Sequence, residues 1–165
     1  MNLSSKKGNV LLDSIVILVV LVVMGIIGIL AYSTFDDLVT DISVDESFDE
    51  EARNKTLELH SRFPATMDGA FGFAFILLWL LVLVASFMID SHPVFFAISI
   101  ILMLVMLFSA GLLSNAFDEF ESDIEIEQYK TDFPITSFIL TNLVIFLLAV
   151  GGSVGLVLFG KSRMG

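Results

Sequence analysis

Four long uncharged stretches alternate with charged ones along this chain. The first covers residues 10–32, with the single charge Asp13 near its start; the others cover 69–89, 93–117 and 135–160. Each holds at least about 20 residues, and a helix rising 1.5 Å per residue then crosses the roughly 30 Å hydrocarbon core of a bilayer. None shows the apolar–polar alternation of a barrel strand. In hydrocarbon every backbone N–H and C=O has to be paired within its own segment, which leaves the helix. The pattern predicts an all-α membrane protein, a single membrane domain over 1–165 with four transmembrane helices.

The punctuation agrees with those limits. Pro64, Pro93 and Pro134 each stand just before an apolar run or at its start, where a missing N–H costs least. Asp68, Ser91 and Asp132 lie where a side-chain oxygen caps a nearby helix start. Only Asp90, Ser91 and His92 join the second run to the third, which predicts a tight antiparallel hairpin.

Two extramembrane segments remain, 33–68 and 118–134. After the first run Phe35, Leu38, Val39 and Ile42 recur at helical spacing among Asp36, Asp37 and Asp41, so the first helix is expected to continue as an amphipathic extension. A second short helix is expected over 49–61, carrying Asp49, Glu50 and Glu51 and leading back to Pro64. Residues 120–127 alternate almost strictly, which predicts an extended piece with Glu121, Asp123, Glu125 and Glu127 on one face. Such a row of carboxylates offers oxygens to a divalent cation, but it lacks the glycine turn of a calcium loop. A solvated or partner-docking edge is the plainer reading. Asn54-Lys55-Thr56 matches a glycosylation acceptor, a pattern frequent by chance.

Composition reinforces this picture: 56% of the residues are hydrophobic. The net charge of −11 is unevenly spread. Segment 33–68 holds ten acidic residues against Arg53, Lys55 and Arg62, and segment 118–132 holds seven against Lys130. Lys6 and Lys7 precede the first run, and Lys161 and Arg163 follow the fourth. The positive-inside rule then puts both ends in the cytoplasm or interior and both acidic segments outside. Those segments would repel nucleic acid, so no nucleic-acid partner is expected. With no cysteine, disulfides and thiolate metal sites are excluded.

The first run is longer than a secretory signal core and has no small-residue cleavage site after it. Lys6-Lys7-Gly8-Asn9, with Asp13 five residues after Gly8, resembles a type IV pilin leader. A pilin needs a soluble head, whereas three further apolar runs follow here.

Catalytic chemistry is hard to assemble. His60 and His92 are the only histidines, and the predicted topology puts them on opposite sides of the membrane. No HExxH, Walker loop or dinucleotide fingerprint is present. No enzyme activity, metal or cofactor is expected. Asp13 and Asp90 sit near run ends, while Ser99, Ser109, Ser137, Thr141 and Asn142 suit interhelical hydrogen bonds better than an ion path. Gly151 and Gly155 form a GxxxG pair with Ser153 between them, and Gly25 and Gly28 add small positions in the first run. These are the candidate helix-packing residues, within one bundle or between subunits. Trp79, near mid-run, reads as lipid-facing or packing bulk.

Ile89-Asp90-Ser91-His92-Pro93-Val94-Phe95-Phe96 and Leu113-Ser114-Asn115-Ala116-Phe117 resemble segments of small integral membrane proteins from membrane-containing viruses of bacteria and archaea. The resemblance covers about a third of the chain without a diagnostic motif. It implies a structural virion protein with no catalytic residues to carry over. The expected function is a structural or assembly subunit whose partners are the lipid bilayer and other subunits, docked through the acidic outer segments. The alternative is an oligomeric pore former, such as a holin or small channel.

Overall fold

The computed structural model describes residues 10–45, 48–88 and 93–164. The chain runs as α1 (Val10–Val44), α2 (Glu50–Met88), α3 (Pro93–Glu121), a single-turn α4 (Ile124–Glu127), a 3-10 turn (Lys130–Asp132), α5 (Pro134–Thr141) and α6 (Leu143–Met164). Among the described residues there is no strand. Three helices, α1, α2 and α3, are long and apolar enough to cross a membrane, and α5 with α6 makes a fourth candidate if the pair is one span. Met24, Phe73, Leu104, Phe108 and Leu156 are all more than half exposed. Apolar surface that extensive is foreign to a soluble monomer and suits hydrocarbon. The Asp90–His92 link and the basic pair Lys6 and Lys7 lie outside the described residues.

Length forces part of this structure out of the bilayer. α1, α2 and α3 hold 35, 39 and 29 residues, about 52, 58 and 43 Å at the helical rise. A 30 Å core cannot contain them. α1 continues twelve residues past Tyr32, as its amphipathic pattern requires, and α2 begins well before its apolar run. Together they form an antiparallel arm.

Three local expectations are corrected. The short helix expected over 49–61 is the first part of one continuous α2, with Pro64 inside it. The residues flanking Pro64 explain this: His60 and Phe63 stack on Tyr32 of α1 at 5.1 and 5.9 Å, holding α2 in register through the missing N–H. Residues 120–127 are not extended. α3 runs on to Glu121 and α4 follows after a turn, because the alternation marks inward Glu121 and Ile126 rather than a strand. The run 135–160 is not one helix either: it bends by 73° between α5 and α6, at Asn142.

The best-buried core surrounds α5. Ile29, Phe117, Phe133, Leu140 and Leu143 are almost wholly enclosed. Gly25 allows this approach: a Cβ there would lie 2.6 Å from Leu140 Cδ1 and 3.1 Å from Thr136 Cγ2. α6 packs on α3 and α2. Trp79 Nε1 donates to Ser153 Oγ at 3.1 Å, so the tryptophan joins α2 to α6 through a hydrogen bond. A Cβ on Gly151 would sit 3.0 Å from Met103 Sδ, one on Gly28 3.8 Å from Met67 Cε, and one on Gly155 would touch nothing within 4 Å.

This contrast is testable. Gly25→Val should cost about 1–3 kcal/mol through overpacking against α5. Gly155→Val should stay within about 0.5 kcal/mol of the parent. Thermal unfolding in detergent, followed by Trp79 fluorescence, measures both.

Candidate functional site

The break in the fourth apolar segment concentrates the polar chemistry of the bundle. A helix begins with amides that have no partner inside it, and in hydrocarbon those amides need one. Pro134 removes one of them by occupying the first helical position, but Phe133 at the capping position has no side-chain oxygen to offer. The cap comes from another helix. Asp68 of α2, 3% exposed, accepts from Ile135 N at 2.9 Å through Oδ2 and from Thr136 N at 2.7 Å through Oδ1. A carboxylate there also meets the positive end of the α5 dipole.

The other end of α5 is closed as thoroughly. Ser114 Oγ on α3 donates to the Thr141 carbonyl at 2.5 Å, and Thr141 Oγ1 donates to Asp118 Oδ1 at 3.0 Å. Asn142 Nδ2 reaches back to the Phe138 carbonyl at 2.9 Å. The Asn142 carbonyl accepts from Ile145 N and Phe146 N at 3.0 and 3.2 Å, which starts α6. Side chains thus replace the backbone bonds that the bend removes.

Between these ends Ser137 Oγ donates to Glu121 Oε1. Lys130 Nζ lies 2.8 Å from Glu121 Oε2, with the lysine side chain half exposed and the glutamate side chain buried. A buried carboxylate without a counter-charge is strongly destabilising, and here Lys130 supplies one from the loop. The hydrogen bond and charge of Glu121 hold the Lys130 proton above its ordinary 10.5; Asp118 and Glu127 add to this, and slight burial opposes it.

A second network locks the base of the arm. Around Tyr32 stand His60 and Phe63, stacked, and Tyr129 and Phe133, edge-on at 5.5 Å each. Tyr129 Oη donates to Asp36 Oδ2 at 3.1 Å. His60 Nε2 lies 2.8 Å from Asp36 Oδ1, close enough to pair when protonated but poorly aligned as a hydrogen bond. Burial raises the Tyr129 phenol above 10.0, a bond with Ser33 opposes that, and Asp36 reinforces it.

The residues expected to dock partners separate into different environments. Glu121 is 2% exposed and internally paired, so it pins α5 rather than facing a partner. Its place at the end of α3 turns it inward, which the alternation 120–127 did not distinguish from an outward row. Asp123 and Glu127 are exposed, and Glu125 lies in α4 with its side chain outside the described residues. Asp49, Glu50 and Glu51 are exposed at the start of α2 and, with Asn54, Lys55 and Glu58, line an open hollow of about 460 Å³. Glu51 pairs with Lys55 at 2.6 Å. Among the described residues no group of three or more carboxylates and histidines could hold a metal. The contacts of Asp36, His60 and Ser114 join residues far apart in the chain and leave no local sequence signal, and Asp68 caps the start of α5 rather than that of α2.

Fold and site together define an all-helical, multi-pass type of membrane protein with a broken apolar segment. No family model, curated protein or solved structure matches this chain.

Two outcomes follow from this geometry. Asp68→Ala should cost about 1–2 kcal/mol, as loss of a good N-cap does, with Asp68→Asn recovering part of it in thermal melts. At alkaline pH both raised groups act in one direction. The Lys130 ion pair contributes fully below pH 10.5 and is lost as pH rises through the raised value. The buried Tyr129 phenol resists an ionisation that the unfolded chain undergoes from about pH 10. Melting temperature should therefore fall above about pH 10, and less steeply in Lys130→Met and Tyr129→Phe.

Proposed function

We propose that this chain is a structural or assembly subunit of a membrane-embedded complex, crossing the bilayer four times and docking a protein partner with its arm. The basic ends lie in the cytoplasm or interior in this reading, and the arm and the 118–134 segment lie outside. The second and third spans are consecutive and antiparallel in this reading. No catalytic step is assigned.

The arm carries the proposal. A helix pair that merely reversed direction could turn at the membrane surface, but α1 extends twelve residues beyond Tyr32, about 18 Å at the helical rise. The arm is braced by the Tyr32 stack and Asp36. Near its tip Val44 is 77% and Phe48 43% exposed, beside Asp49, Glu50 and Glu51. Apolar side chains ringed by charge are the usual anatomy of a docking patch. A virion membrane beneath a capsid shell is one setting for such a subunit; an accessory subunit of a respiratory or transport complex is another.

One observation favours a second reading. Broken helices with buried ionisable groups recur where membrane proteins line a path for ions or solutes, and α5 with Asp68 and Glu121 has that form. An oligomeric pore former, a holin or small channel, would place this break at its mouth.

Mild detergent extraction from the native membrane, sizing and mass spectrometry separate the two. The assembly reading expects defined subunits to co-migrate and to be lost, by at least about tenfold, in Asp49→Asn/Glu50→Gln/Glu51→Gln with Val44→Ser. Retention of those subunits by the variant would refute docking through the arm. A self-only oligomer that makes liposomes leak would favour the pore.

A further inference from the structure

At the base of the arm one carboxylate touches two other parts of the chain. Asp36 on α1 accepts from Tyr129 Oη at 3.1 Å through Oδ2, and its Oδ1 lies 2.8 Å from His60 Nε2 on α2. The ion pairs of Lys55 with Glu51 and of Arg62 with Glu58 stay within α2, whereas the His60–Asp36 contact joins the two helices of the arm. The strength of that contact depends on one proton. His60 Nε2 is buried and makes no aligned hydrogen bond, so a neutral ring gains little from the carboxylate beside it. An imidazolium in the same place gains a charge-assisted contact.

The surroundings suit the charged ring. His60 stacks on Tyr32 with centroids 5.1 Å apart and 22° between the planes, and its centroid lies 5.7 Å from that of Phe35. A cation within about 6 Å of an aromatic face is attracted by the ring quadrupole. On α1 the titratable neighbours are Asp36 and Tyr32. The segment around the 3-10 turn supplies Tyr129, which reaches the ring through Asp36. Asp37 and Asp132 act from further off, on Tyr129 and Tyr32. On α2 itself Arg53 stands seven residues earlier, two turns back on the same face, while Glu58 and Arg62 pair with each other. Three carboxylates therefore outweigh one guanidinium around the imidazole.

We propose that His60 and Asp36 form a proton-operated clasp that sets how firmly the two helices of the arm hold together. Protonation closes it: the imidazolium pairs with Asp36, which Tyr129 already ties to the turn, so α2 is drawn to both. Deprotonation leaves the arm to its apolar contacts, such as the buried Val39. Acid favours the closed arm, because only the charged ring is attracted to the carboxylate. The change falls between about pH 5 and 8, where imidazoles ordinarily change charge. The clasp concerns the arm alone and does not depend on what the arm docks.

The test follows the arm of the full chain in nanodiscs. Spin labels go on Val44→Cys and Leu57→Cys, at positions 77% and 46% exposed in a chain without native cysteine. Double electron–electron resonance should give one narrow distance peak at about pH 5 and a broader distribution at about pH 8. The population outside the narrow peak should grow about two- to fivefold, as suits the loss of a partly exposed ion pair. His60→Gln and Asp36→Asn should each abolish this step, and His92→Gln, at the other histidine, should keep it. Circular dichroism and Trp79 fluorescence confirm that each variant is folded. The parent alone can overturn the clasp, by a distribution that is the same at both pH values or narrows as pH rises. A step of full size in folded His60→Gln or Asp36→Asn would overturn it as well.

Discussion

The fourth apolar segment starts at Pro134 and bends by 73° at Asn142, which leaves backbone groups without helical partners at both ends of α5, and side chains from the rest of the bundle supply substitutes. Asp68 is the first of these. Its two oxygens serve two amides of α5, so a single side chain both ends the unpaired state and fixes α5 against α2. Each unsatisfied group in hydrocarbon would cost several kcal/mol, while a capping carboxylate at a helix start is stabilising in its own right. Partners at both ends of α5, Asp68 at its start and Ser114 and Asn142 at the bend, offset that cost.

Packing follows from the same constraint. α5 reaches the centre of the bundle because Gly25 yields space to Leu140 and Gly72 yields it to Ile135. Its burial brings Ser137 to Glu121, and Glu121 in turn requires Lys130. That requirement ties the 3-10 turn to the end of α3 and carries Tyr129 and Phe133 onto Tyr32. The arm is therefore braced by the segment that the break positions. A change at Asp68 is expected to be felt at Tyr32, although the two residues lie on different helices.

Much of the architecture was legible from the sequence because it depends on long-range hydropathy. The apolar runs are helices, α3 starts at Pro93, α5 starts at Pro134, and the amphipathic pattern after Tyr32 continues α1. What escaped was local and polar. Residues 135–160 read as one span, since Asn142 is a single amide among apolar neighbours and nothing in the run marks a bend; the partners that permit it, Asp68 and Ser114, lie far away in sequence. Glu121 belongs to a row of carboxylates that looks uniform until α3 turns one of them inward. Pro64 reads as a helix start because proline usually is one, and only the stack of His60 and Phe63 on α1 reveals that the helix passes through it. Of the glycines, Gly25 at a buried contact and Gly155 facing open space are indistinguishable by type.

The geometry of the break itself is the most direct measurement. The absence of cysteine allows spin labels at Ile135 and Leu156, both exposed, with no background labelling. A bend of 73° at Asn142 puts their backbones about 26 Å apart at 1.5 Å per residue, whereas one straight helix would put them about 32 Å apart. Double electron–electron resonance in nanodiscs should return the shorter distance, with Asp68→Ala broadening the distribution toward longer ones. A single narrow peak at the longer distance, unchanged by Asp68→Ala, would contradict the account.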